Sequence, residues 1–96
     1  MHGEYKVPGG KLVVVDLDCV ESRLCNVQVS GDFFLEPDSA LDVINAALIG
    51  LPDDSSEQAL AGAIADALGD NAVLYGITPG GVAIAVHRAL AAGDAT

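Results

Sequence analysis

From Lys11 the chain falls into alternation, with Val13, Val15, Leu17 and Cys19 on one face of an extended segment and Asp16 and Asp18 on the other. A period of two is the signature of a half-buried strand. A second strand is predicted over Leu24 to Phe34, with Cys25, Val27 and Val29 inward and Asn26, Gln28 and Ser30 toward water. Residues paired across two strands share a face, so the two apolar sets must meet. Setting Cys19 against Cys25 brings Leu17 opposite Val27 and Val15 opposite Val29, with a short connection centred on Glu21-Ser22-Arg23. This register makes the cysteines cross-strand neighbours in the core.

Beyond residue 36 the period changes to that of helices. Pro37-Asp38-Ser39 is a helix start, followed by Leu41, Ile44 and Leu48 on one face and a stop at Gly50. Pro52-Asp53-Asp54-Ser55 opens a second helix, in which Ser55 and Gln58 have the spacing of a capping box. Leu60, Ile64 and Leu68 form its stripe and Gly69 closes it. Ala72 to Ile77 reads as a short strand or extended link. Thr78 as N-cap and Pro79 at the first helical position begin a third helix that buries Val82, Val86 and Leu90. The predicted class is α+β, a hairpin plus a third short strand packed against three helices, in one domain over residues 1–96. Residues 1–4 and 93–96 are expected as flexible ends.

Composition narrows the function. Hydrophobic residues make up 51% of the chain, enough for a packed core, but with only two Phe and two Tyr that core is aliphatic. The formal charge of -10, with 14 acids against four cations, repels nucleic acid and anionic lipid. It favours a partner with a basic face. No apolar run approaches the roughly 20 residues that span a bilayer. MHGEYK lacks the apolar stretch of a secretory signal, so the expected compartment is the cytoplasm. Cys19 and Cys25 are too few for a disulfide framework or a four-thiolate metal site.

The familiar catalytic layouts are missing: there is no GxSxG, Walker loop or GxGxxG. His2 lies in the N-terminal tail and His87 reads as a solvated helix position. Asp16 and Asp18 share a strand face, as paired carboxylates must for metal or acid–base work, yet the water-facing side of an antiparallel sheet alternates in the same way. Asp53-Asp54 reads as helix capping.

Two segments stand out. Lys6-Val7-Pro8-Gly9-Gly10-Lys11 places half of the protein's cations around one glycine bend, suited to an anion or an acidic surface, or simply a turn that leads into the strand. Ser30-Gly31-Asp32-Phe33-Phe34 breaks the alternation, because adjacent strand residues point to opposite faces. One Phe can fill the core; the other lies under a helix or meets a partner.

These residues carry a resemblance. KVPGGKLVVVDL, then VSGDFF, an acidic helix and GITPGGVAIAVHRAL resemble, in the same order over Tyr5 to Leu90, the C-terminal accessory domain of bacterial and archaeal lipoate–protein ligases. In some organisms that domain is a separate small subunit, and a 96-residue chain opening with Met resembles that arrangement. The resemblance implies a protein with no catalytic residues of its own. Its partner would be the ligase catalytic subunit, which holds ATP, Mg and lipoate, so that this chain alone binds no cofactor. The accessory domain would enable formation of lipoyl-AMP and shift away while the lipoyl group passes to a lysine of a carrier domain. By position, Lys6, Pro8, Gly9, Gly10 and Lys11 would form the loop facing the catalytic subunit, and Gly31, Asp32, Phe33 and Phe34 would support that face or touch the partner. Lys6 or Lys11 would position the nucleotide-binding loop or screen phosphate charge. After Thr-Pro the family carries an acidic residue in the first turn, where this chain has Gly80 and Gly81.

Two other readings stand beside this one. The accessory domain's fold looks related to sulfur and iron–sulfur assembly scaffolds, although a cluster scaffold needs at least three exposed ligands. A non-catalytic, acidic protein-binding module is the other.

Overall fold

The computed structural model describes residues 1–94. It bears out the α+β class, with two antiparallel sheets and three helices. Strands β1 (His2–Lys6), β2 (Leu12–Val20) and β3 (Arg23–Gly31) form one sheet in that order; β4 (Phe34–Glu36) and β5 (Val73–Tyr75) form a two-stranded ribbon. The helices are α1 (Ala40–Leu48), α2 (Glu57–Leu68) and α3 (Pro79–Asp94). The expectation for 93–96 falls partly outside the described residues, and Gly93 and Asp94 belong to α3.

All three helices lie on one face of the larger sheet. α3 packs over β1 and β2, α1 packs over β3, and α2 joins α1 to α3. The core is as aliphatic as the composition requires: Val13, Val15, Leu17, Leu24, Val27 and Val29 from the sheet meet Ile44, Leu48, Leu60, Ile64, Val82 and Val86 from the helices. A side chain of this size contributes about 1.5–3 kcal/mol when fully buried. Small residues set the closest approach. A Cβ on Gly3 would stand 2.3 Å from the Ala85 carbonyl and 2.3 Å from the Ala89 nitrogen, so β1 lies against the backbone of α3.

β1 was not expected. Residues 1–4, anticipated as a flexible end, run into an edge strand paired with β2 from His2↔Asp16 to Lys6↔Leu12. The Met1 amino group also donates to the Leu17 carbonyl at 2.8 Å. This hides from periodicity because the strand's inward residues are Gly3, which has no side chain, and half-buried Tyr5.

The register of the β2–β3 hairpin differs near its tip. Val15 faces Val29 as expected, but Asp18 faces Cys25 and Cys19 faces Leu24. Two features cause this. Glu21 and Ser22 both have positive φ, 54° and 64°, giving a two-residue turn of the type that matches strand twist. Asn26, at φ 50°, is then the extra residue of a bulge that restores the original phase. The inward set of β3 is therefore Leu24, Val27 and Val29. Cys25 shares the outer face with Asp18, Cys19 lies on the inner face, and both are half-buried. They are not cross-strand neighbours in the core. Left-handed Glu21 and Ser22 cost about 1–2 kcal/mol each. Contacts with the α1–α2 link offset this: Asp53 N–H donates to the Ser22 carbonyl at 2.9 Å and Arg23 Nη1 to the Gly50 carbonyl at 2.8 Å.

The helices follow the apolar stripes closely. α1 follows Ser39 and buries Ala40, Ile44 and Leu48. The cap of α2 is one residue later than expected: Ser56 Oγ accepts from Ala59 N–H at 3.0 Å, while Ser55 Oγ donates to the Pro52 carbonyl. Asp53 and Asp54 lie in the turn before it. Thr78 Oγ1 caps α3 by accepting from Gly81 N–H at 2.9 Å.

Candidate functional site

The sequence Val7-Pro8-Gly9-Gly10 folds as a tight turn between β1 and β2. Gly10 N–H donates to the Val7 carbonyl at 2.8 Å, and Gly9 takes φ 73°. Pro at the second position and a positive-φ Gly at the third are what a type II turn requires. Lys6 Nζ donates to the Gly10 carbonyl at 2.8 Å, so this cation closes its own turn. Val7 is buried, and the turn docks by it on α3: a Cβ on Gly81 would come within 2.8 Å of the Val7 side chain. That contact accounts for Gly81 in a helical first turn. The bend is thus a defined loop, anchored at both ends.

β5 joins this loop to the second motif. Lys11 N–H donates to the Gly76 carbonyl at 2.9 Å, and the Lys11 stem lies over Gly76, where a Cβ would stand 2.6 Å from its Cγ. One residue back along β5, Tyr75 faces Phe34 of β4, their ring centroids 5.7 Å apart and tilted by 45°. Gly31 faces Val13, and a side chain there would strike the Leu12 carbonyl. Gly31 also has φ 151°, which glycine tolerates best. Phe33 is half-buried against the core, whereas Phe34 is 55% exposed.

The nine positions singled out from the sequence, Lys6, Pro8, Gly9, Gly10, Lys11, Gly31, Asp32, Phe33 and Phe34, therefore lie around one end of the molecule, linked through Gly76 and Tyr75. Sequence reasoning missed Tyr75, Val73 and Leu12, which are 51%, 43% and 39% exposed. In the ribbon Phe34, Glu36, Val73 and Tyr75 face outward, while Leu35 and Leu74 face in. A shallow hollow of about 210 Å³ lies between the glycine turn and Leu74, Gly76, Ile77 and Thr78. Among the described residues, the Lys11 ammonium has no hydrogen-bond or ion-pair partner, in contrast to Lys6.

Both histidines and the Asp16–Asp18 pair have structural partners. His2 bridges two carboxylates on the open sheet face, with Nδ1 2.7 Å from Asp16 and Nε2 2.7 Å from Glu4. The Glu4 hydrogen bond, then that of Asp16, raises its pKa above the ordinary 6.5. Asp18 accepts from Asn26 Nδ2 at 3.0 Å, so both aspartates are absorbed into the surface of the sheet. His87, expected as solvated, is half-buried: Nε2 donates to the Ser55 carbonyl at 2.8 Å, and Nδ1 lies 3.6 Å from Glu57. No group of three His, Cys, Asp or Glu side chains placed to hold a metal occurs among the described residues, and none of the described helices is long and apolar enough to cross a membrane.

The fold defines a two-layer α+β domain with a glycine turn and an aromatic ribbon at one end. A solved chain of this shape comes from the structure of an archaeal lipoylation system of Thermoplasma acidophilum, described as a bi-partite lipoate protein ligase and its E2 lipoyl domain. The two share a TM-score of 0.71 and 24% identity, over 90% of this chain and 92% of that one. No protein-family model and no curated protein sequence matches the chain.

Proposed function

We propose that this chain is the accessory subunit of a two-subunit lipoate–protein ligase, which binds the catalytic subunit and enables lipoyl-AMP formation. The observation that carries the reading is the convergence of the glycine turn and the Gly-Asp-Phe-Phe motif on one exposed surface. These are the segments in which the sequence resembles ligase accessory domains, and β5 brings them together. The fold likeness to a chain of the archaeal lipoylation system supports the same reading.

In this role the chain supplies a docking surface and a charge, while ATP, Mg and lipoate are held by the catalytic subunit. Lys11 is the better placed of the two lysines. Lys6 is engaged with the Gly10 carbonyl, whereas the Lys11 stem lies over Gly76 and its ammonium is not bonded within the turn. An ammonium there acts as a point charge on a flexible stem, suited to a nucleotide-binding loop or its phosphates.

The test is ATP-dependent lipoyl-adenylate formation by a ligase catalytic subunit of the same organism, with and without this chain. The expected result is adenylate only when both are present, with transfer from preformed lipoyl-AMP independent of this chain. Lys11→Ala should slow adenylation and leave that transfer intact. Equal adenylation with and without the chain would refute the reading.

A further inference from the structure

We infer that the Phe34–Tyr75 ribbon is a polarised docking surface, which receives the catalytic subunit in one orientation because its two ends carry opposite charge. The inference rests on the accessory-subunit reading above and adds the chemistry of the partner's surface. Tyr75 and Phe34 are opposite one another, followed along the ribbon by Val73 opposite Glu36. Beyond Tyr75 lies Gly76, bonded to Lys11. Lys6 and Lys11 flank the glycine turn on that side, and Asp32 adjoins Phe33 in the chain. At the other end Glu36 stands on the outward face, and Asp38 borders a hollow of about 160 Å³ shared with Phe33, Phe34 and Leu41.

From Gly76 to Val73 is three strand residues, or roughly 10 Å. That is about one Debye length at 0.1 M salt, so a partner meets two local charges and not their sum. The aromatic pair supplies a desolvated centre of the kind that carries most of the energy in protein interfaces. The charges at its ends set orientation and association rate. The matching surface has an apolar ridge, basic side chains opposite Glu36 and Asp38, and an anionic group opposite Lys11. A second copy of this chain fits less well, because each brings a net charge of -10.

The experiment measures binding to the ligase catalytic subunit by biosensor, alongside adenylation, for three double variants. Circular dichroism checks that each is folded. Phe34→Ala/Tyr75→Ala should weaken the complex about 30-fold or more, since an interface anchor of this kind is worth 2 kcal/mol or above. Glu36→Gln/Asp38→Asn should slow association several-fold at low salt, with the difference vanishing at 1 M salt, where the Debye length is about 3 Å. Asp18→Asn/Asp66→Asn makes the same change in net charge away from the ribbon and should leave association unchanged.

If the wild-type chain binds and supports adenylation but the aromatic variant binds within about twofold of it, the docking inference fails and the accessory role survives. Equal effects of the two carboxylate pairs would also overturn the inference, as would self-association of the chain through the ribbon. Absence of any wild-type complex would overturn both proposals.

Discussion

Gly3→Ala tests the packing that holds the fold together. The added methyl would stand 2.3 Å from a carbonyl oxygen and 2.3 Å from a nitrogen of α3, with the Ala89 Cα at 2.9 Å. Favourable carbon contacts begin near 3.5 Å, so strand and helix must part by about 1 Å or more. Backbone atoms cannot rotate away as a side chain can. The cost should therefore reach the upper part of the roughly 1–3 kcal/mol seen for overpacked cores. For a 96-residue domain each kcal/mol corresponds to about 4–8 °C in Tm, so a loss near 3 kcal/mol lowers Tm by roughly 12–24 °C. Gly62→Ala is the counterpart: it lies inside α2 with nothing within 4 Å, and should stabilise by up to about 1 kcal/mol. Urea denaturation followed by circular dichroism measures both, and amide exchange reports whether β1 opens. A Gly3→Ala protein within about 0.5 kcal/mol of wild type, with β1 still protected, would refute the close-packing argument.

Other consequences can be measured on the isolated chain. Because the folded pKa of His2 is raised by Glu4 and Asp16, its stabilising effect is fully present below the unfolded value of 6.5 and is lost as pH rises through the folded pKa. Denaturation midpoints across this range should fall with rising pH, and His2→Gln should flatten the slope; NMR titration of the ring gives the folded pKa directly. Ser56→Ala should cost about 0.5–2 kcal/mol by removing the cap of α2, and its loss in thermal melts should exceed that of Ser55→Ala. Asn45→Ala strips the acceptor from the part-buried Val29 N–H and should cost about 1–3 kcal/mol in the same melts.

The helices were legible because each repeats a large aliphatic residue at helical spacing between clear start and stop signals. The sheet was legible only in part. β1 buries a glycine, so the feature that defines it is an absence of side chain, which no hydrophobic pattern records. The hairpin tip defied expectation because Glu21 and Ser22 occupy left-handed positions usually given to Asn or Gly, held there by contacts with residues 50–53. One bulged residue, Asn26, then separated the two cysteines onto opposite faces. The candidate site was half legible. Its two motifs were visible as segments, but their meeting depends on a strand of three residues, Val73–Tyr75, far along the chain from both. Tyr75 stood in a short apolar run with no period from which to assign its face.

Each free edge of the larger sheet has a side chain bonded to it. Asn45 takes the Val29 N–H of β3, and Arg88, resting 5.0 Å from the centroid of the Tyr5 ring, donates to the Glu4 carbonyl of β1. Near the hairpin tip, Leu24 exchanges backbone hydrogen bonds with Leu51 and Gly50. A visiting strand would have to displace these partners before it could join the sheet. At these points the larger sheet is guarded against the edge-to-edge pairing by which exposed strands aggregate.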